Sequence, residues 1–388
     1  MDNLSHHHYL DSETKIINNT SFEISSQPEL WRQTWTYIQK QQNNLRKFLN
    51  HVYNQKNLVV ILTGAGSSAF IGIALQGPFQ KNTNKLTRAI STTDLVTHPD
   101  LFLQKERPTL LISFARSGDS PESLAALHLV NEICPYVYHL IITCNASGKL
   151  ALQEGEKNNF VFLLPPKTND KGLAMTASFT SMLLSGLLIS RIHHMEDLGV
   201  QISRLISYGE NILQNYSKKL FHISKLDFKR VVFLGSGPLI GAARESHLKL
   251  QELTNGKIIC KHDSFLGFRH GPKAVIDKST VVVYLFSNKN YVEQYEKDLV
   301  SEICKQELGM YSIGVSEKFN KSDFCLDLDI ILGDGHQTVE EEFLSICHVL
   351  PAQILGYYKS LELGFNPDNP SESGVISRVV QGVKIYSY

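Results

Sequence analysis

Apolar residues in this chain gather in short, unbroken runs, each followed by small or polar residues and then by a longer stretch with helical spacing. Residues 58–75 read LVVILTGAGSSAFIGIAL, and residues 230–250 read RVVFLGSGPLIGAARESHLKL. The second segment repeats the grammar of the first, with Gly235 standing 171 positions after Gly64. Residues 109–113 and 280–284 keep that offset, residues 139–143 answer 310–314, and further apolar strands are expected at 160–164 and 324–332. Each half closes on a long apolar segment, read as a helix, over 174–193 and 339–360. Strands that are apolar throughout and alternate with helices predict parallel sheets covered on both faces. An internal repeat of that size predicts two copies of the unit. The expected fold class is therefore α/β, two tandem doubly wound parallel-sheet domains.

A mostly polar, helical stretch within 197–229 is expected to link the halves. The organisation that follows is an N-terminal helical extension over 1–45, whose Trp31, Trp35 and Tyr37 can pack against a domain, a first domain over 46–200, a second over 215–365, and a C-terminal tail over 366–388.

Composition narrows the classes. Lys plus Arg and Asp plus Glu both number 38, so the formal net charge is zero, and no basic stripe points to nucleic acid or an anionic membrane. The longest apolar stretch, 182–189, is broken by Ser185 and Gly186 and is far short of a bilayer span. The N-terminus carries Asp2 and no apolar core, so a cytoplasmic protein without a signal peptide is expected. The six cysteines, Cys134, Cys144, Cys260, Cys304, Cys325 and Cys347, are widely spaced and mostly within apolar segments, which favours buried thiols over redox or metal roles. The His6-His7-His8 tract can bind metal but lies at the terminus, and no metal or other cofactor is expected.

In an open parallel sheet, ligands bind beyond the carboxyl ends of the strands. The sequence puts Gly66, Ser67 and Ser68 after the first strand, and Ser113-Phe-Ala-Arg116-Ser117-Gly118-Asp119-Ser120-Pro121 after a later one. Glycines let the backbone approach an anion, while amide N–H groups and hydroxyls donate to it, so these loops can cradle a phosphate. Ser120 before Pro121 is also ordinary helix-capping chemistry, and the two roles are compatible. Gly64-x-Gly66-x-x-Ala69 resembles a dinucleotide fingerprint, but Asn84-Lys85 stands where the ribose-binding acid belongs. No G-K-[ST] follows either turn, which excludes a P-loop.

Glu245, Lys249 and Glu252 share one helical face by their i, i+4 and i, i+3 spacing. A solvated salt-bridge face explains such a run, while flanking Leu248, Leu250 and Leu253 favour a site. His270, in the run Arg269-His270-Gly271-Pro272, sits before a turn and is suited to move protons near neutral pH.

Together these segments resemble tandem sugar isomerase (SIS) domains over roughly residues 45–388. They are most similar to the tagatose-6-phosphate ketose/aldose isomerase and galactosamine-6-phosphate deaminase family, and more distantly to the isomerase half of glucosamine-6-phosphate synthase. The carriers are residues 112–123, the E-x-x-x-K-x-x-E face, Arg269-His-Gly-Pro272 and the tail 369–383. The resemblance implies that Ser67, Ser68, Ser117 and Ser120 hold the sugar phosphate, that Glu252 is the isomerising base with Lys249 beside it, and that His270 opens the ring. It also implies a homodimer in which His270 is shared across subunits. The implied partner is a hexosamine or hexose 6-phosphate, with no nucleic acid and no membrane.

Ring opening followed by proton transfer from C2 to C1 needs a proton shuttle and a base, which matches His270 and Glu252. With an amine on C2 the product ketimine hydrolyses, so the expected reaction is galactosamine 6-phosphate plus water giving tagatose 6-phosphate and ammonia. Two departures from the synthase shape this expectation. Where the synthase tail has a Schiff-base lysine, this chain has Arg378, which cannot form one and is expected to close over the site and contact the sugar. The glutamine amidotransferase half is also missing, so consumption of an amino sugar is expected rather than its synthesis. A neutral hexose phosphate isomerase remains open, as does a sugar-phosphate sensor that uses only the serine loops.

Overall fold

A computed structural model describes residues 9–156, 158–318, 326–335, 337–371, 373–380 and 382–388. The His6–His8 tract, Cys325 and the first residues of the strand expected from Phe324 lie outside the described residues.

The chain forms two compact units. One comprises Glu29–Asp170, Ala177–Ile202 and Gly374–Tyr388, and the other Met1–Pro28, Lys171–Thr176 and Ser203–Ser373. The passage between them after the first sheet falls inside a single helix, Leu198–Ser224, where the sequence predicts a linker.

The first unit holds a parallel sheet of β1 (Val59–Thr63), β2 (Leu86–Ala89), β3 (Thr109–Ala115), β4 (Val137–Thr143) and β5 (Asn159–Leu163), in the order β2-β1-β3-β4-β5. The second holds β6 (Arg230–Gly235), β7 (Ile259–Asp263), β8 (Thr280–Leu285), β9 (Tyr311–Ser316) and β10 (Leu328–Ile331), in the equivalent order β7-β6-β8-β9-β10. The repeat extends to register. Val59 pairs with Thr109 and Arg230 with Thr280, each partner displaced by the same 171 positions. Because the strand order reverses about β1 and about β6, both sheets are doubly wound.

Every residue of β1, β3, β4 and β8 is buried, as strands covered on both faces require. The edge strands β2 and β7 are partly exposed and carry Arg88 and Lys261, so the apolar pattern misses them. The helix Ala177–Ser190 is buried all round, and a Cβ on its Gly186 would lie 2.4 Å from Leu75 and 3.2 Å from Phe114. The segment expected as one helix over 339–360 is two, Glu341–Cys347 and Leu350–Glu362, the second opening with Pro351 in its first turn. In the extension, Trp31 is fully buried and its indole N–H donates to Thr180 Oγ1 at 3.0 Å. No described helix is long and apolar enough to cross a membrane.

Candidate active site

In the first unit the loop after β1 is shaped by two glycines. A Cβ on Gly64 would meet the Ser68 backbone at 2.6 Å, and Gly66 has φ +55°, so neither position takes another residue without strain. The helix Ser67–Thr83 begins immediately after. Ser67 and Ser68 are about 95% buried, and neither hydroxyl hydrogen-bonds to any described residue. Thr63 and Thr92 join them, because both hydroxyls are buried without a partner while the Thr92 N–H donates to the Gly64 carbonyl at 2.8 Å. Sequence reasoning passed over both threonines, since a threonine at a strand end, as Thr63, or at a helix start, as Thr92, carries no motif.

The second loop begins at Arg116. Ser113 lies within β3, paired with Thr63 and Ile141, so the strand runs two residues beyond its expected end. Ser117 and Gly118 are braced by the β4 loop. The Asn145 amide donates to the Ser117 carbonyl at 2.8 Å, and the Leu150 N–H donates to the Gly118 carbonyl at 3.1 Å. The Ser117 hydroxyl accepts from the Asp119 N–H at 3.3 Å. Ser120 occupies the N-cap position of the helix Pro121–Ile133, yet its hydroxyl makes no capping bond and pairs with the Ser123 hydroxyl at 2.6 Å. Two loops rich in hydroxyls thus stand at the carboxyl ends of β1 and β3, the strands between which the winding reverses.

The tail belongs to this unit. Arg378 Nε and Nη2 donate to the Asp170 carbonyl at 2.8 and 2.6 Å, and Nη2 donates to Asn169 Oδ1 at 2.7 Å. Buried Arg116 in turn donates to the Arg378 carbonyl at 2.6 Å. Asp170 caps the helix Ala177–Ser190 through the N–H groups of Ala177 and Ser178. Cys144, buried nearby, has its thiol pushed up to about 12 by burial, which disfavours a thiolate there.

In the second unit Gly235 and Gly237 repeat the backbone geometry, with a Cβ on Gly235 meeting the Leu239 backbone at 2.6 Å and φ +56° at Gly237. The chemistry is inverted. Ser287 and Asn288 stand where the repeat has Arg116 and Ser117 in the first unit, and they bind carboxylates: Ser287 donates to Glu341, and Asn288 to Glu317 at 2.7 Å. A cavity of about 120 Å³ there is lined by Glu293, Glu317 and Asp329 against a single Lys318. Buried Glu296 accepts the Ser287 N–H at 3.0 Å, and burial, reinforced by Glu341, raises its pKa to about 8. Among the described residues the lining at these strand ends is mainly acidic, which disfavours an anion, whereas the first copy's loops are rich in hydroxyls.

The charged face lies on the helix Leu239–Leu253. Lys249, 1% exposed, sits 2.5 Å from Glu252 Oε2 and 3.4 Å from Glu245 Oε1. Glu245 is fully buried, whereas the Glu252 side chain keeps 23% of its surface exposed. This is a buried ionic triad open at one member, not a solvated face. Glu252 stands thirteen residues along the helix from Leu239, about 20 Å from the Gly235 loop at 1.5 Å per residue. The strand-end rule that locates the serine loops therefore does not locate Glu252.

His270 sits exposed on the turn after the short helix Phe265–Phe268, whose phenylalanines are buried in the core of this unit. Its backbone N–H donates to the Gly267 carbonyl at 3.0 Å, and Gly271 at φ +114° makes the turn into Pro272. Arg269, at 2.9 Å, and Lys273 both pair with Glu302 of the helix Asn290–Lys305, pinning the turn on either side of the imidazole. The hydrogen bond from Lys273 holds the Glu302 carboxyl below its ordinary range.

The first unit thus gathers Gly66, Ser67, Ser68, Arg116, Ser117 and Ser120 at its strand ends, with Ser113 just inside β3. The second gathers Glu245, Lys249 and Glu252, and presents His270 on its own turn.

No family model matches the chain. It is 40% identical over 376 residues to the D-galactosamine-6-phosphate deaminase AgaS of Escherichia coli, covering 95% of this chain and 96% of the relative. It is 39% identical over 373 residues to the protein of the same name from Shewanella sp. strain ANA-3, covering 95% and 92%. A solved Clostridium novyi structure, described as a tagatose-6-phosphate ketose/aldose isomerase, superposes with a TM-score of 0.93 at 43% identity, covering 98% of this chain and 97% of the other.

Proposed function

The chain belongs to the family of D-galactosamine-6-phosphate deaminases and tagatose-6-phosphate ketose/aldose isomerases, and from that membership we propose that it converts galactosamine 6-phosphate and water to tagatose 6-phosphate and ammonia. The observation that carries the reading is the near-full-length identity to the deaminases, and a carboxylate held against a buried ammonium supports it as a candidate base.

In this reading the phosphate is taken by Ser67, Ser68, Ser117 and Ser120 with the amides of their loops, and Thr63 and Thr92 offer two further buried hydroxyls. His270 moves the proton that opens the pyranose ring. Glu252 removes the proton from C2 and returns it to C1, carrying the amino sugar through an enamine to the C2 ketimine. Water adds to that carbon and ammonia departs, leaving the ketose. Lys249 orients the Glu252 carboxylate and offsets its charge, while Glu245 holds Lys249 from one turn earlier. Arg378 holds the tail against Asn169 and Asp170, leaving Nη1 to contact the sugar. The enzyme is read as a cytoplasmic homodimer that shares His270 between subunits and needs neither metal nor organic cofactor.

The test is purified protein supplied with galactosamine 6-phosphate, with ammonia and tagatose 6-phosphate measured together. The two should appear in equal amounts. Interconversion of galactose 6-phosphate and tagatose 6-phosphate without ammonia from the amino sugar would replace this reading with the neutral hexose phosphate isomerase.

A further inference from the structure

The tail that carries Arg378 continues over the first unit and lines a cleft of about 470 Å³. The rest of the lining comes from the helix Thr92–Thr97 and from the start of the helix Pro121–Ile133, which pack together through Leu95, Ala126 and Val130. Val96, Val383, Ile385 and the rings of Tyr386 and Tyr388 give the cleft an apolar and aromatic surface, and Glu122 is its carboxylate. Clefts of this size, mostly apolar with a few placed polar groups, suit small organic ligands.

Glu122 is the group left uncommitted. A carboxylate in the first turn of a helix is ordinary, but Glu122 Oε2 is buried and accepts from no described residue. Its polar neighbours in the cleft are otherwise engaged. Thr93 Oγ1 pairs with Ser91 Oγ at 2.7 Å, Thr97 Oγ1 donates to the Thr93 carbonyl at 2.9 Å, and Lys384 Nζ lies over the Tyr386 ring, 4.9 Å from its centroid. A carboxylate drawn out of water without a donor costs free energy that a cation beside it recovers.

We propose that this cleft binds an organic ammonium ion, a ligand class separate from the sugar phosphate of the serine loops. The charged nitrogen meets Glu122 and the face of a tyrosine ring, which attracts cations, while the carbon body of the ligand meets the valine and isoleucine side chains. A phosphate finds the wrong charge here. A metal ion finds one carboxylate among apolar side chains, where hard cations take a full shell of oxygens. Glu122 stands two residues beyond Ser120, so the cleft adjoins the second serine loop while Ser120 stays paired with Ser123.

The experiment titrates the full chain with 2-phenylethylamine and, separately, with 2-phenylethanol, by ligand-observed NMR. The amine should bind with a Kd of about 1 mM, ordinary for so small a ligand. The alcohol has nearly the same body without the charge and should bind roughly tenfold more weakly, the scale of one ion pair partly shielded from water. Glu122→Gln should bring the amine down to the alcohol's affinity and leave the alcohol's own affinity unchanged. Ile385→Ser, on the exposed tail, should weaken both ligands and decides the matter if Glu122→Gln fails to fold. Absence of saturable amine binding, equal affinities of amine and alcohol for the parent, or an amine affinity unchanged in either variant would overturn the proposal. Displacement of the amine by galactosamine 6-phosphate would also overturn it, by making the cleft the amine end of the substrate's own site.

Discussion

Lys249 Nζ lies 2.5 Å from Glu252 Oε2, and the ammonium is 99% buried. Removing one partner of a buried ion pair leaves the other's charge uncompensated. Lys249→Met should therefore destabilise the protein by on the order of 3 kcal/mol and lower kcat, since Glu252 loses the ammonium that orients its carboxylate. Denaturant unfolding and steady-state kinetics read the two effects.

The serine loops should show the opposite division. Ser117→Ala removes a hydroxyl proposed to meet the phosphate and costs the fold only a 3.3 Å contact with the Asp119 N–H. KM should rise roughly tenfold, the scale of one lost hydrogen bond to a charged group, with kcat little changed. An unaltered KM would count against the cradle.

The repeat supplies an internal control. Gly64→Ala and Gly235→Ala force the same Cβ into the same backbone contact, at 2.6 Å in both copies. Each should cost about 2–3 kcal/mol of stability. Only Gly64→Ala should also raise KM, because only its loop carries the serines. Thermal unfolding and steady-state kinetics of the two variants make the comparison.

Buried Glu296 gives a prediction about pH and stability. Its folded pKa, near 8, lies above the ordinary 4.5, so the native state holds a proton that the unfolded chain has lost. That contribution is complete below about pH 4.5 and fades as pH rises through 8. Glu296→Gln should leave Tm nearly unchanged at pH 5 and raise it by several degrees at pH 8.5. Equal shifts at the two pH values would contradict the burial of an uncharged carboxyl.

The repeat, the parallel sheets and their central strands were legible in the sequence because residues such as 59–63 and 280–285 are buried on both faces and carry no polar interruption. The edge strands were not, since β7 reads Ile-Cys-Lys-His-Asp and exposes part of each side chain. The interleaving of the units was equally hidden. Thr20 and Asn19 bind the Asp368 carboxylate 348 and 349 positions away, and no local pattern marks such a partner. At the candidate site, spacing alone placed Glu245, Lys249 and Glu252 on one face. The burial that turns this face into an ionic triad comes from neighbouring elements, as does the acidic lining of the second copy's strand ends. Thr63 and Thr92 acquire interest only through their unpartnered burial, which the sequence does not express.

The central claim is that Glu252 moves the proton. Glu252→Gln keeps the shape of the side chain and its ability to accept from Lys249 while removing the base. Ammonia release from galactosamine 6-phosphate should fall by at least about a hundredfold, with substrate affinity, measured calorimetrically, held within a few fold. Ammonia release at the parental rate from the folded variant would contradict the account.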